Sequence, residues 1–353
     1  MSEINTDVLV VGAGPAGSSA ATYAARAGRQ VVLIDSAIFP RDKPCGDGLT
    51  PRAIAELNAI GLSDWLSGRA RNKGLRAAGF GQELLLPWPG GSLPDYGGAA
   101  PRMELDEQIM LIAKSAGATV LEGYSATDVV MDAGAIKSVI VKTETGTVTI
   151  NANSVIIADG ARSQLGRKLG REWHRDTAYG VAARGYIKSE RHDDPWISSH
   201  LELRDDKNEI LSGYGWIFPL ANGEVNVGVG TLATNKRPAD VNLRALMNTY
   251  ADQQREDWKL SGDIRMPWSF LLPMGGAVSG IAGKNFMFIG DAAGCVNPLN
   301  GEGIDYGLET GRLAAQMLET ETDFTVAWPA ELRTHYGYAF SIARRLAGLL
   351  TVP

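Results

Sequence analysis

The sequence predicts a mixed α/β (α+β) fold of two parts, one built on a parallel sheet covered by helices and the other on an antiparallel sheet. Continuously apolar, β-branched runs at residues 8–11, 31–34, 155–158 and 286–289 are typical of strands buried on both faces. Residues 177–233 instead carry period-two or aromatic strands with no helix between them, which favours an antiparallel sheet. We therefore expect a parallel sheet interrupted by a second subdomain.

Composition excludes several classes of protein. A formal net charge of −6 leaves no basic face for a nucleic-acid partner. Cys45 and Cys295 lie far apart in sequence, which is no disulfide framework and indicates a reducing cytoplasm. The four histidines lack metal-ligand spacing, so we expect no metal site. The amino terminus shows no secretory signal and no segment is predicted to cross a membrane, so the predicted location is cytoplasmic.

The first strand runs directly into a glycine turn and a helix. The turn reads G-x-G-x-x-G, the alanine-rich helix follows over 15–26, and the next strand closes on Asp35. Glycines let backbone N–H groups approach a pyrophosphate, while an acidic residue about 20 positions on bonds a ribose hydroxyl. The pattern predicts a dinucleotide site that includes Gly12, Gly14, Pro15, Ala16, Gly17 and Asp35.

A loop rich in glycine and proline, PRDKPCGDGL at 40–49, follows one turn later. It is either a surface connection or, as we prefer, a loop packed over the reactive ring of the cofactor, because its glycines permit close backbone approach. Cys45 is either a proton relay or a small packing group. The predicted contacts from this loop are Arg41, Cys45, Gly46, Asp47 and Gly48.

Two later strands also end on acidic residues. The strand at 155–158 ends at Asp159, and the strand at 286–289 ends near Asp291 before a helix that starts near Gly303. Ligands bind at the carboxyl ends of strands in open α/β sheets. Both residues are therefore predicted to face the cofactor.

Three aromatic residues alternate in GYGWIFPL. Side chains repeat every second residue in a strand, so Tyr214, Trp216 and Phe218 share one face. They either form part of the core of the antiparallel sheet or wall an apolar slot. We hypothesise that they line the substrate site together with Pro219.

The three motifs GAGPAG, ADGARS and FIGDAAGCVNPLNGEG resemble, in this order, the flavoprotein fold of the p-hydroxybenzoate hydroxylase type. The resemblance implies FAD, with Asp291 on the ribityl chain, Arg102 at the middle of the cofactor, and Gly303 and Ile304 aiming N–H groups at the flavin. Ala126 is also expected near the cofactor.

Two further motifs are similar to signatures of the geranylgeranyl reductase family, P-x-x-K-x-C-G at 40–46 and Y-x-W-x-F-P at 214–219. That family saturates double bonds of isoprenoid chains, and the sequence of these motifs resembles that of the branch that reduces one isoprene unit of the menaquinone tail. The alternatives are a geranylgeranyl lipid or diphosphate substrate, a flavin-dependent monooxygenase or halogenase, and a non-enzymatic carrier.

The resemblance sets expectations about mechanism and location. An isolated alkene needs a proton together with a hydride, so Cys45 is the candidate proton source, and the faces of Tyr214 and Trp216 stabilise positive charge. The electron donor stays open between transient NAD(P)H, a ferredoxin-like protein and a quinol. A membrane-embedded substrate implies a peripheral position on the inner face of the membrane.

The predicted division of the chain has three parts. The discontinuous FAD-binding domain takes residues 1–75, 100–175 and 275–320, and the substrate domain takes 76–99 and 176–274. Residues 321–353 form a carboxyl-terminal helical segment.

Overall fold

The structure is a computed structural model that describes residues 2–350. Two compact units emerge, and each is described by itself. The first unit comprises Met1–Arg41, Met103–His174 and Leu272–Arg345; the second comprises Asp42–Arg102, Arg175–Leu271 and Leu346–Pro353.

These boundaries differ from the predicted ones in two segments. Residues 42–75 lie in the second unit, because the strands at Gly48–Leu49 and Ala70–Asn72 both pair with the strand at Gly97–Ala99. Residues 321–345 lie in the first unit, because Trp328 is fully buried in its core and donates to the carbonyl of Phe288. Residues 351–353 of the predicted helical segment lie outside the described residues.

Four helices begin at a proline or a capping side chain, with Pro15 and Pro51 at the first positions of two helices and Ser163 and Asn242 as caps of two others. The helices are α1 (Pro15–Arg26), α2 (Pro51–Ile60), α3 (Ser63–Ser67), α4 (Arg102–Ser115), α5 (Gln164–Lys168), α6 (Leu243–Gln253), α7 (Ile304–Met317) and α8 (Phe324–Leu350), with a 3₁₀ turn at Gly290–Ala293. Within residues 2–350, none of the helices has the length and apolar character needed to span a membrane.

The strands are β1 (Ser2–Val11), β2 (Val31–Asp35), β3 (Gly48–Leu49), β4 (Ala70–Asn72), β5 (Gly74–Gly79), β6 (Gln82–Pro87), β7 (Gly97–Ala99), β8 (Thr119–Glu122), β9 (Ser125–Asp132), β10 (Ala135–Thr143), β11 (Gly146–Ile157), β12 (Glu172–Trp173), β13 (Tyr179–Ser189), β14 (Ile197–His200), β15 (Leu203–Arg204), β16 (Ile210–Leu211), β17 (Tyr214–Pro219), β18 (Glu224–Ala233), β19 (Leu260–Leu272), β20 (Val278–Ser279), β21 (Ala282–Gly283) and β22 (Phe286–Phe288).

The main sheet of the first unit has the order β21-β22-β11-β1-β2-β8, and β9 and β10 extend it from β11. β11 is one long strand, whereas the continuously apolar pattern predicted only a strand at 155–158. The polar residues before 155 interrupt the apolar pattern, yet Asn151 and Asn153 hydrogen bond to Asn5 and Asp7 of neighbouring β1. Side-chain pairing replaces burial there and keeps the strand continuous.

The second unit is built on a seven-stranded sheet with the order β19-β13-β18-β17-β14-β5-β6. It contains the expected antiparallel run of residues 177–233, with β14 and β5 forming a parallel pair. One face packs against α6, where Ile217, Val227 and Tyr250 belong to one buried cluster. The opposite face carries the aromatic residues of β17.

Candidate active site

The turn between β1 and α1 leaves no room for side chains. A Cβ on Gly12 would lie 2.4 Å from the carbonyl oxygen of Ala158, and one on Gly17 would lie 1.8 Å from that of Gly12. Gly12 also has a φ of +102°, which favours glycine. No side chain caps α1 at Gly14, so its first N–H groups are available to an anion such as a pyrophosphate.

Asp35 lies beside this turn and is oriented by backbone groups. Its Oδ2 accepts a hydrogen bond from the N–H of Ala13 at 2.7 Å, and its Oδ1 accepts one from Ala37 at 2.9 Å. A carboxylate has about four acceptor sites, so capacity is left for a ribose hydroxyl. The N–H of Tyr124 donates to the carbonyl of Asp35, which brings the start of β9 and the half-buried Ala126 to this end of the sheet.

Arg41 approaches the same turn. A Cβ on Gly14 would lie 3.5 Å from its Nη2, and its Nη1 forms an ion pair of 2.6 Å with Asp106. Asp106 is fully buried in α4. Its carboxylate therefore holds the guanidinium near the expected phosphates, a role that nothing in the sequence indicated.

The ends of β11 and β22 bring two carboxylates around one arginine. Burial raises the pKa of Asp159, whose Oδ1 is buried and, among the described residues, has no hydrogen-bond partner. Burial lowers the pKa of Arg171, and the charges of Asp159 and Asp291 oppose that shift. Arg171 donates from Nε to the carbonyl of Ala292 at 2.5 Å. Sequence analysis missed Arg171, because no motif includes it.

The amino terminus of α7 meets that of α1. A Cβ on Gly303 would lie 3.3 Å from Asp291 Oδ1, and α7 starts at Ile304 with no side-chain cap. A Cβ on Gly311 would lie 2.4 Å from the carbonyl oxygen of Ala16, so the two helices pack backbone to backbone. Two uncapped helix ends, the Asp35 carboxylate and the unpaired Asp159 oxygen thus fit a dinucleotide such as FAD.

In the second unit, a buried arginine holds the loop that contains Cys45. Arg184 of β13 is fully buried. It donates to the carbonyls of Cys45 at 3.2 Å and Lys43 at 3.1 Å, and its Nη2 pairs with Asp42 at 2.5 Å. These bonds fix the loop conformation, and the partners are so distant in sequence that no local pattern predicted them.

Asp47 lies at the centre of this loop and is completely buried. Its Oδ2 accepts hydrogen bonds from Tyr186 at 2.7 Å and Asn226 at 2.9 Å, whereas its Oδ1 has no partner within the described part of the chain. Burial raises its pKa to about 6. Sequence analysis named Asp47 but missed Tyr186 and Asn226, which belong to strands with an otherwise apolar pattern.

Cys45 holds its proton at neutral pH. Burial raises the pKa of its thiol, and the nearby guanidinium of Arg102 opposes this shift. The N–H of Asp47 approaches Sγ at 3.4 Å. A protonated thiol can donate a proton but is no nucleophile. Arg102 is buried beside Cys45, and its predicted contact with the cofactor stays a prediction.

The aromatic residues of β17 share a face, as predicted. The ring centroids of Tyr214 and Trp216 are 5.9 Å apart, and those of Trp216 and Phe218 are 6.3 Å apart. A Cβ on Gly46 would lie 3.1 Å from the Phe218 ring and 3.4 Å from Trp216 Nε1. The loop therefore packs directly on this face, while Pro219 continues the strand opposite Val225.

Trp216 also belongs to the polar network. Its Nε1 donates to Asn226 Oδ1 at 2.9 Å, and Asn226 donates in turn to the carbonyl of Cys45. Cys45, Asp47, Trp216 and Phe218 thus form one site within the second unit. The prediction that this loop lies over the flavin ring stays a prediction.

A family profile described as "FAD binding domain" matches residues 5–321. The chain therefore belongs to this family of flavoproteins, and its cofactor is FAD. This confirms the predicted fold class and cofactor.

Individual relatives indicate which kind of FAD-dependent enzyme this chain resembles. A menaquinone reductase of Mycolicibacterium smegmatis is 59% identical over 349 residues, covering 98% of this chain and 85% of that protein. Digeranylgeranylglycerophospholipid reductase 1 of Methanopyrus kandleri is 28% identical, covering 98% and 90%. A geranylgeranyl bacteriochlorophyll reductase-like structure from Thermoplasma acidophilum has a TM-score of 0.84 at 23% identity, covering 99% and 89%, and shows the shared fold. The resemblance to the geranylgeranyl reductase family and the class of FAD-dependent oxidoreductase are thereby confirmed.

Proposed function

We propose that this chain saturates one C=C bond in the prenyl tail of menaquinone. The observation that carries the choice of substrate is the 59% identity to a menaquinone reductase over 98% of the chain. A geranylgeranyl lipid is the second candidate, because the more distant relatives bear names of that chemistry.

When bound in its reduced form, FAD would supply the hydride for one alkene carbon, and the chain's own residues would have to supply a proton to the other. Cys45 is our candidate donor of that proton, because its raised pKa keeps the thiol protonated at neutral pH. The adjacent rings of Tyr214 and Trp216 are our candidates for stabilising the developing positive charge. Asp47 and Arg184 act through the loop backbone and are positioning residues.

The substrate also suggests where the protein works. A prenyl quinone resides in a bilayer, so we propose a peripheral association with the inner face of the membrane. The electron donor must deliver two electrons in all, and the candidates are NAD(P)H as a hydride donor, a ferredoxin-like protein in two single-electron transfers, and a quinol.

An anaerobic single-turnover experiment tests the reaction independently of the natural donor. The FAD-loaded protein is reduced with dithionite and mixed with menaquinone in detergent, and the quinone is recovered after air oxidation for mass spectrometry. We expect two hydrogens to be retained in the tail. Flavin reoxidation with an unchanged tail would exclude menaquinone and direct the assay to geranylgeranyl lipids, then to oxygen-dependent chemistry.

Variants of the two cysteines test the proton donor in the same assay. Cys45→Ala should slow tail reduction by about a hundredfold or more, because general acid catalysis contributes factors of that order. Cys295→Ala is the matched control, since Cys295 is buried in the core of the first unit. An unchanged single-turnover rate in Cys45→Ala, with flavin still bound, would remove Cys45 from the mechanism.

A further inference from the structure

The edge strand β6 exposes three consecutive leucines. Leu84 is 62% exposed, and Leu85 and Leu86 are each 48% exposed. β6 is the last strand in the sheet order and, within residues 2–350, pairs with β5 alone. Proteins usually protect edge strands with charges or covering elements, so a strand of exposed leucines calls for a partner or a ligand.

The pairing register links two of these leucines to the aromatic face. Leu84 is opposite Ala77, Ala77 is opposite Ser199, and Ser199 is opposite Trp216. In the neighbouring row, Leu86 is opposite Leu75, which is opposite Ile197. Directly paired residues carry their side chains on the same face of a sheet, so Leu84 and Leu86 lie on the face that carries Trp216.

Leu85 belongs to the opposite face. It is opposite Arg76, which is opposite Ser198, which is opposite Ile217 of the core beneath α6. Leu85 therefore belongs to the same strand as Leu86 and is equally exposed, but its side chain lies on the face opposite to the aromatic residues.

Small side chains separate Trp216 from the edge. Ser199 and Ala77 are both half-buried and fill little of the space above their strands. Strand spacing of about 4.8 Å places Leu84 roughly 14 Å from the aromatic strand. We call this surface the apolar track. Its middle consists of the small side chains of Ala77 and Ser199, one end of the aromatic residues of β17, and the other end of Leu84 and Leu86.

We propose that this track binds the prenyl chain of the substrate, and that the chain enters the sheet face over Leu84 and Leu86 of β6. The inference rests on the proposed function for the identity of the chain. A flexible, linear run of isoprene units, each with a single methyl branch, fits a long, narrow apolar surface, whereas a compact ligand would not extend from Trp216 to the sheet edge. The loop at Gly46 covers the aromatic end, which leaves the β6 side as the open one.

Photocrosslinking tests the track without relying on turnover. Geranylgeraniol with a diazirine at its distal end is added to the FAD-loaded protein, irradiated, and mapped by peptide mass spectrometry. We expect adducts on Leu75, Ala77, Leu84 and Leu86, and none on Arg76 or Leu85. Adducts confined to other segments would overturn the track.

A second test compares KM and kcat for menaquinones with long and short tails in the same detergent. Leu84→Gln and Leu86→Gln should each raise KM for a long-tailed menaquinone, by about fivefold to tenfold, while kcat changes little. A homologue with two isoprene units should be reduced by both variants at the wild-type rate, because its tail does not reach the edge. Ala77→Phe should block binding of the long tail, because the phenyl ring would fill the space above the small residues of the track.

Leu85→Gln is the control, with an expected KM equal to that of wild type. Two results would contradict the track. One is a rise in KM for Leu85→Gln as large as that for Leu84→Gln and Leu86→Gln, and the other is a loss of activity in those two variants that is as large with the short homologue as with the long-tailed menaquinone. The two proposals fail separately: adducts on β6 without tail reduction would reject the reaction, and tail reduction with adducts elsewhere would reject the track.

Discussion

At the scale of single residues, the carboxyl of Asp47 couples stability to pH. Its pKa rises from the ordinary 3.8 to about 6 because of burial, and hydrogen bonds from Tyr186 and Asn226 oppose part of that rise. Between these values the folded protein binds more protons than the unfolded chain. The stabilising contribution of this group is therefore complete below about pH 4 and is lost as pH rises through 6.

We expect Asp47→Asn to flatten this dependence, because it keeps the shape of the side chain and removes the ionisation. Between pH 5 and 7.5, wild type should lose roughly 1 kcal/mol more unfolding free energy than the variant. Urea unfolding of the FAD-loaded proteins at both pH values measures the difference. Exposed Asp64, replaced by Asn, is the control, and identical slopes for wild type and Asp47→Asn would contradict the expectation.

At the scale of elements, the contact between α1 and α7 determines whether the flavin motifs meet. Gly311 permits this contact, since a Cβ there would overlap the carbonyl oxygen of Ala16. Helix packing with backbone contact tolerates no extra methyl group without movement of a helix.

Gly311→Ala should destabilise the protein by about 1–3 kcal/mol and weaken FAD binding, as overpacking does. Gly337→Ala in α8 is the matched helical control. It should be neutral or stabilise by up to about 1 kcal/mol, because alanine favours helix and only the Arg333 side chain must adjust. Thermal unfolding and flavin titration measure both effects, and equal behaviour of the two variants would refute the packing argument.

Elements were more predictable than their side-chain partners. α1, α7 and β17 appear where apolar periodicity, proline and glycine indicated them. The single strand β11 did not, because its polar middle is satisfied by Asn5 and Asp7 from a remote part of the chain. Arg184 escaped notice for the same reason, since its partners Asp42 and Cys45 lie about 140 positions away. Local sequence patterns indicate which residues will be buried. They do not indicate which distant polar groups will pair.

At the scale of the whole molecule, FAD should stabilise the chain unevenly. Binding to the folded state adds about 2.7 kcal/mol at a ligand concentration of 100 times Kd. In hydrogen exchange, we expect FAD to protect residues 14–17 and 303–305, at the starts of α1 and α7, where no side chain within residues 2–350 caps the helix. The β9–β10 turn at 133–134 should exchange equally with and without FAD. Uniform protection of all these segments would argue against the assigned cofactor site.

The double role of β11 has a consequence for biosynthesis. Its first half pairs with β10 through a short turn, whereas its whole length pairs in parallel with β1, Val11 opposite Ile157. At about 5–20 residues per second, the partner of Val11 leaves the ribosome roughly 7–30 s after Val11 itself. During that interval β1 can pair with β2 on one side, while its other edge, which β11 later takes, stays unpaired and apolar. We therefore expect the nascent chain to need protection of that edge until the hairpin of β10 and β11 has emerged.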